Sequence, residues 1–208
     1  MLFGQRPKIL IIDDVPDNVA MLLIDHQSGL FQTVQDMPFT TLRRLASTLA
    51  KIPVITTASV PQGPNGPLIP EIHQNAPHAT YVARKGEINA WDNEDFVKAV
   101  KATGKKQLIV AGVVTEVCVA FPVLSALAEG FEVFVIADAS GTFNSMTQQA
   151  AWSRMEQAGA QLMTWFGAAC ELHRDWRNDI EGLGTLFSNH IPDYRNLINS
   201  YTTLTAGK

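Results

Sequence analysis

Charge is scarce in this chain. Asp, Glu, Lys and Arg make up 17% of its 208 residues, and the formal net charge is -4. No basic run is present, so the electrostatic footprint of a nucleic-acid or membrane-surface binder is missing. Cysteine is scarcer still, with only Cys118 and Cys170. Two thiols build no disulfide framework in a domain of this size, which predicts a reducing, cytoplasmic setting. No apolar stretch reaches the roughly 18–20 residues of a membrane span. The N-terminus lacks the charged, apolar, small-residue order of a secretory signal. Internal repeats and low-complexity linkers are also lacking. What is present is a 46% hydrophobic composition with enough length for one well-buried domain.

Apolar, β-rich runs alternate with amphipathic ones. Strands are expected over residues 20–25, 53–57, 79–83, 107–111, 131–136 and 160–165. Helices are expected over 40–51, 94–103, 118–129, 147–158 and 166–176, with Gly104, Gly130 and Gly159 at helix ends. Near-continuous apolar strands separated by helices predict an α/β fold. It is a three-layer α/β/α sandwich around a mostly parallel sheet of about six strands. The tail from Asn178 shows little periodicity. Its Leu186, Phe187, Tyr194, Leu197 and Tyr201 suit packing on a neighbouring subunit. The loop from Pro61 to Pro67 is dense in turn formers and suits a pocket border and a surface connection equally well.

Residues 1–16 read as an atypical N-terminal extension or edge strand, ahead of one domain over 17–208. Lys8–Asp14 is strand-like and ends in two acids. It resembles the opening of a response-regulator receiver, where such acids hold magnesium. A receiver also needs a phosphate-accepting Asp and a Lys at later strand ends, and no convincing pair stands there.

In parallel α/β sheets ligands bind beyond the carboxyl ends of strands. Asp25, the Arg84–Lys85 pair and the segment Val113–Cys118 all fall at such ends. Cys118 opens a predicted helix, where the dipole and unpaired amides favour thiolate over thiol. Cys170 sits in an amphipathic run with no polar setting and reads as a packing residue.

Four segments carry a resemblance. They are Leu22-Leu23-Ile24-Asp25-His26-Gln27, Gly63-Pro64-Asn65-Gly66-Pro67, Gly86-Glu87-Ile88-Asn89-Ala90-Trp91-Asp92-Asn93 and Gly112-Val113-Val114-Thr115-Glu116-Val117-Cys118. With them the chain from about Asp17 to Thr205 resembles the isochorismatase-like cysteine hydrolases, nearest to the YcaC-type subgroup. The resemblance implies an acid, a basic residue and a cysteine acting together: Asp25 as general base and Cys118 as nucleophile. The basic member matches Arg84 by the subgroup's spacing and Lys85 by the wider family's. Neighbours on a strand point to opposite faces, so one of the two is expected at the site. A cis peptide between Val113 and Val114 is implied, with the Val114 and Cys118 amides as oxyanion donors.

Substrate-binding candidates are Gln27, Phe31, Thr57, Asn89, Trp91 and Thr115. The implied substrate is a small molecule with an amide or related carbonyl, cleaved through a covalent thioester. No cofactor is required. No metal is expected either: Asp25 is followed directly by His26, and His73 and His78 lack the metal-binding pattern of nicotinamidase relatives. The subgroup implies a homo-octamer. A catalytically idle scaffold keeping the same fold is the competing expectation.

Overall fold

Val19–Ile24 contains no polar residue, and such a strand is stable only with both faces covered. In the computed structural model, which describes Ile12, residues 18–37 and residues 52–206, this run is β1. It is joined by β2 (Val54–Ser59), β3 (Thr80–Arg84), β4 (Gln107–Gly112), β5 (Glu132–Ile136) and β6 (Gln161–Met163). All pairings are parallel, in the order β3-β2-β1-β4-β5-β6. Every residue of central β1 and β4 is buried, whereas edge β3 is largely exposed.

The helices are α1 (Glu71–Asn75), α2 (Glu94–Ala102), α3 (Ala120–Ala128), α4 (Ser145–Gln157), α5 (Trp165–His173), α6 (Ile180–His190) and α7 (Pro192–Thr205). Side chains alternate across the sheet. Met21, Leu23, Ile109 and Phe134 face one layer, with Trp165 and Ala168 of α5 and Leu183 and Phe187 of α6. Ala20, Leu22, Leu108, Val110 and Val133 face the other, with Phe96 of α2, Val123 of α3 and Met155 of α4. The architecture is therefore a three-layer α/β/α sandwich around a parallel six-stranded sheet. Among the described residues no helix is long and apolar enough to cross a membrane.

The chain winds outward from β1 to β3, then crosses back to place β4 on the other side of β1. The segments that follow β1 and β4 thus diverge at the topological switch point, where a crevice forms. Gly112 ends β4 at the closest approach: a Cβ there would lie 2.5 Å from the Ile24 carbonyl oxygen.

Three expectations change. The tail forms two helices, α6 and α7. Gly182, Gly184 and a run of Asn, Ser and Thr hide their period, but Asp179 caps α6 by accepting from the Gly182 N–H at 2.8 Å. Trp176 stacks on Tyr194, and Phe166 and Phe187 pack around them. The helix expected over 166–176 stops at His173, where Arg174 adopts a positive φ. The helix expected from Cys118 begins instead as a π-helical turn over Thr115–Val119. The helix expected over 40–51 lies outside the described residues. So does the Lys8–Asp14 strand, except Ile12, which is buried. The Ile12 N–H donates to Glu171 Oε2 at 2.9 Å, and its carbonyl accepts from Arg174 Nη2 at 2.5 Å.

Candidate active site

Asp25 leaves β1 with φ at 56°, a conformation that Asp tolerates better than most residues. Its N–H still donates to the Thr57 carbonyl at 3.0 Å, continuing the β1–β2 ladder, while its side chain turns into the crevice. Arg84, the last residue of β3, reaches the same place from two strands away. Its Nη2 donates to Asp25 Oδ1, and its Nε donates to Thr57 Oγ1 at 3.2 Å. Its Nη1 donates to the carbonyls of Glu87 at 2.7 Å and Ile88 at 2.9 Å.

The Glu87 loop is itself fixed. Glu87 Oε2 accepts from the Lys85 N–H at 2.7 Å and the Gly86 N–H at 3.0 Å, and Oε1 accepts from Asn93 Nδ2 at 3.0 Å. The guanidinium is therefore held in a fork of acceptors that an ammonium could not match. Lys85, the other basic candidate, is exposed.

Cys118 is half-buried in the π-helical turn. Burial pushes its thiol up to about 12, reinforced by the charge of Asp25 and a hydrogen bond to it. The Val114 backbone and the Arg84 cation pull the other way and do not prevail. This differs from the thiolate expected from a helix start: desolvation and a facing carboxylate outweigh the dipole. Burial and the facing carboxylate both favour the thiol over the thiolate.

Burial also raises the Asp25 carboxyl, against the pull of Arg84, its hydrogen bond and the Cys118 thiol. Protonating Asp25 would strand the Arg84 cation in a site where both side chains are wholly buried, so we take the pair as ionised.

The peptide between Val113 and Val114 is cis. The Cys118 N–H donates to the Val114 carbonyl at 2.8 Å. One of the two expected oxyanion donors is thus spent within its own turn. The Val114 backbone lies against the sulfur.

The substrate-binding candidates separate. Thr57 is buried as an acceptor for Arg84. Thr115 is buried, and its Oγ1 has no hydrogen-bond partner among the described residues. Phe31 is buried with its ring 6.0 Å from that of His26. Gln27 is structural: Nε2 donates to the carbonyls of Ser59 and Gly66, and Oε1 accepts from the Ser59 N–H. It pins the Pro61–Pro67 loop against the end of β2.

Asn89 and Trp91 point elsewhere. Asn89 Oδ1 accepts from the Trp91 N–H, and its Nδ2 donates to Ser125 Oγ at 3.2 Å. Trp91 Nε1 donates to Glu129 Oε1 at 2.8 Å, in a surface groove with Glu94, Val97 and Lys98. Ser125 and Glu129 lie about 10 and 16 Å along the helix from Cys118, at 1.5 Å per residue. Closeness in sequence to Arg84 does not bring these two residues to the sulfur.

Some neighbours carry no sequence signal. Half-exposed Tyr81 is raised by burial and then by the Asp25 charge. His26, completely buried, is lowered to about 4 by burial, and its Nδ1 has no partner among the described residues. Thr142 Oγ1 donates to Glu116 Oε2 beside the nucleophile turn. Among the described residues no group of three or more His, Cys, Asp or Glu is placed to hold a metal. His78 Nε2 lies 3.0 Å from the Ile52 carbonyl, and His73 packs edge-on to Tyr81.

The isochorismatase domain model matches residues 19–166. The probable hydrolase YcaC of Escherichia coli K12 is 66% identical over 198 residues, covering 92% of this chain and 95% of that protein. Among solved structures, YcaC from Pseudomonas aeruginosa, with hexane-2,5-diol and covalent acrylamide, superposes with a TM-score of 0.87. It is 59% identical and covers 89% of this chain and 95% of that one. The E. coli YcaC structure, described as an octameric hydrolase of unknown specificity, gives 0.86 at 66% identity, covering 91% and 96%.

Proposed function

This chain belongs to the isochorismatase family, and on that premise we propose that it is a cofactor-independent cysteine hydrolase of small amides or related carbonyl compounds. The observation that carries this reading is the buried Asp25–Arg84 pair facing the Cys118 thiol. Asp25 is the general base, Arg84 its electrostatic partner and Cys118 the nucleophile.

The thiol proton passes to the Asp25 carboxylate as the sulfur attacks the carbonyl carbon. A C–S bond forms, and the carbonyl π pair moves to oxygen. With a thiol raised to about 12, proton transfer accompanies attack, and no free thiolate accumulates. The Val114 N–H is the donor closest to the developing oxyanion. The Cys118 N–H joins only by leaving the Val114 carbonyl. Collapse breaks the C–N bond, and the amine departs with the proton from Asp25. Water then attacks the thioester, giving its proton to Asp25. Expulsion of sulfur and return of that proton restore the thiol and release the acid.

The acrylamide adduct of the P. aeruginosa relative is consistent with a nucleophile in this fold. The test is mass spectrometry of acid-quenched protein incubated with a panel of small amides and esters. Acyl mass on Cys118, absent in Asp25→Asn, is expected. A panel that is neither consumed nor attached to Cys118 would instead support the scaffold reading.

The octameric relative supports a homo-oligomer here. Leu197, Tyr201 and Leu204 form an exposed stripe on α7 at helical spacing, and a second copy of the chain is its proposed cover. Leu197→Glu with Tyr201→Glu should lower the mass measured by sedimentation. An unchanged mass removes α7 from the interface.

A further inference from the structure

Thr142 is wholly buried in the loop between β5 and α4, with its backbone engaged by Gln35 and Asp36 and its side chain by Glu116. Its N–H donates to Asp36 Oδ1 at 2.8 Å, and its carbonyl accepts from the Gln35 N–H at 2.9 Å. Asp36 Oδ2 in turn accepts from Gln148 Nε2 of α4 at 2.7 Å. The Thr142 hydroxyl donates to Glu116, two residues before the nucleophile. One residue earlier, the Gly141 carbonyl accepts from the Thr115 N–H at 3.1 Å. The turn carrying Cys118 is therefore anchored at Thr115 and Glu116 to a loop that Asp36 and α4 hold from behind.

We propose that Thr142 is a positioning residue, a hydroxyl latch through Glu116 that fixes the π-helical turn and so aims the Cys118 sulfur at the crevice. The proposal rests on Cys118 being the reactive thiol. Thr142 does not touch the reacting atoms. Its side chain supplies the side-chain link, beside the Thr115–Gly141 backbone bond, between the Cys118 turn and the platform built by Gln35, Asp36 and Gln148. Misplacing a reacting atom by about 1 Å can cost on the order of a hundredfold in rate, so loss of one latch should register at the sulfur.

The experiment compares Thr142→Val, which keeps the shape and loses the donor, with Thr142→Ser, which keeps the donor. Both are made on the full chain carrying Cys170→Ser, which leaves Cys118 as the only cysteine. Two readouts are taken: the rate of Cys118 alkylation by iodoacetamide, and hydrogen exchange of the amides from 115 to 119. Thr142→Val should slow alkylation by about tenfold or more and speed exchange in the turn. Thr142→Ser should restore both to near the parent values.

Glu116→Ala should reproduce the valine phenotype, and Glu116→Gln, which still accepts from the hydroxyl, should not. This second pair also serves if Thr142→Val folds poorly. Exchange in the turn unchanged in both Thr142→Val and Glu116→Ala overturns the latch, whatever the sulfur does. A serine variant as impaired as the valine one also overturns it, assigning the effect to packing. If the parent forms no acyl adduct at Cys118 with the panel of small amides and esters, yet exchange follows the pattern above, the latch stands and the nucleophile reading fails.

Discussion

Two ion pairs of this molecule each join a cation to a carboxylate, in opposite surroundings. Lys101 Nζ meets Glu129 Oε2 at 2.8 Å on the surface, with side chains 53% and 37% exposed. Arg84 meets Asp25 with both side chains wholly buried. Water screens the first pair, whose residues line the surface groove beside Trp91. The second is unscreened, so each charge there controls the protonation of its neighbours, including a thiol. The contrast shows that the shape of a contact says little about its consequence. Solvent access decides whether a charge is decoration or a working part.

Removing one member should expose that difference most strongly at the buried pair. Arg84→Met strands the Asp25 carboxylate and should cost about 3–5 kcal/mol of stability, read from the urea midpoint. Arg84→Lys keeps the charge but cannot span Thr57 and the carbonyls of Glu87 and Ile88, and should fall between. A urea midpoint for Arg84→Met equal to that of the parent would mean that the pair is not buried in solution.

Asp25→Asn sharpens the comparison from the other side. The Asp25 charge and hydrogen bond help push the Cys118 thiol to about 12, so their removal should bring its pKa down while Arg84 still pulls it lower. Thiolate absorbance against pH, in a Cys170→Ser background, measures the shift. Amide turnover should nevertheless drop by about 10²–10⁴, the usual worth of a general base. A thiol that becomes easier to ionise and yet works worse separates proton transfer from simple electrostatics. A rise in the thiol pKa would reverse the assignment.

How much of this was legible beforehand depended on whether the signal was local. The strands around the site announced themselves through near-continuous apolar runs, and Asp25, Arg84 and Cys118 stood at their carboxyl ends. The protonation state was not legible, because burial is a property of the assembled sheet and reversed the expectation from the helix start. The direction of Trp91 was not legible for a related reason: a residue close to Arg84 in sequence turns along α3 toward Glu129. The Thr142 contacts join positions 26 and 106 residues apart and leave no local pattern. Helices α6 and α7 were hidden by Gly182, Gly184 and polar residues, and they pack largely through an aromatic cluster visible only in three dimensions.

His26 offers a smaller and pH-dependent contrast. Its ring is buried neutral and lowered from 6.5 to about 4. Below about pH 6.5 the unfolded chain binds a proton that the folded chain refuses, so stability falls as pH drops toward 4. The loss has an upper bound of about 3 kcal/mol. Asp25 and Asp36, both raised by burial, act in the opposite sense at the lower end of this window, because the folded carboxyls hold protons that the unfolded chain releases. The difference between the parent and His26→Asn therefore isolates the ring. Urea midpoints at several pH values should converge as pH falls. Parallel curves would place His26 in contact with water.

The smallest effect is expected at the surface pair, and its smallness is the informative part. In Lys101→Met the partner Glu129 keeps its water and its hydrogen bond from Trp91 Nε1, so nothing is left stranded. Exposed pairs are screened by salt and gain little over their hydrated ions. The melting temperature should match the parent's within error, and adding salt should not separate the two. Labelling of Cys118 should also be unaffected, because the lysine lies at the far end of α3 from the sulfur. If Lys101→Met and Arg84→Met proved equally damaging, solvent exposure could not be what distinguishes the two pairs. The surface groove beside Trp91 would then hold a desolvated charge after all, covered by another copy of the chain.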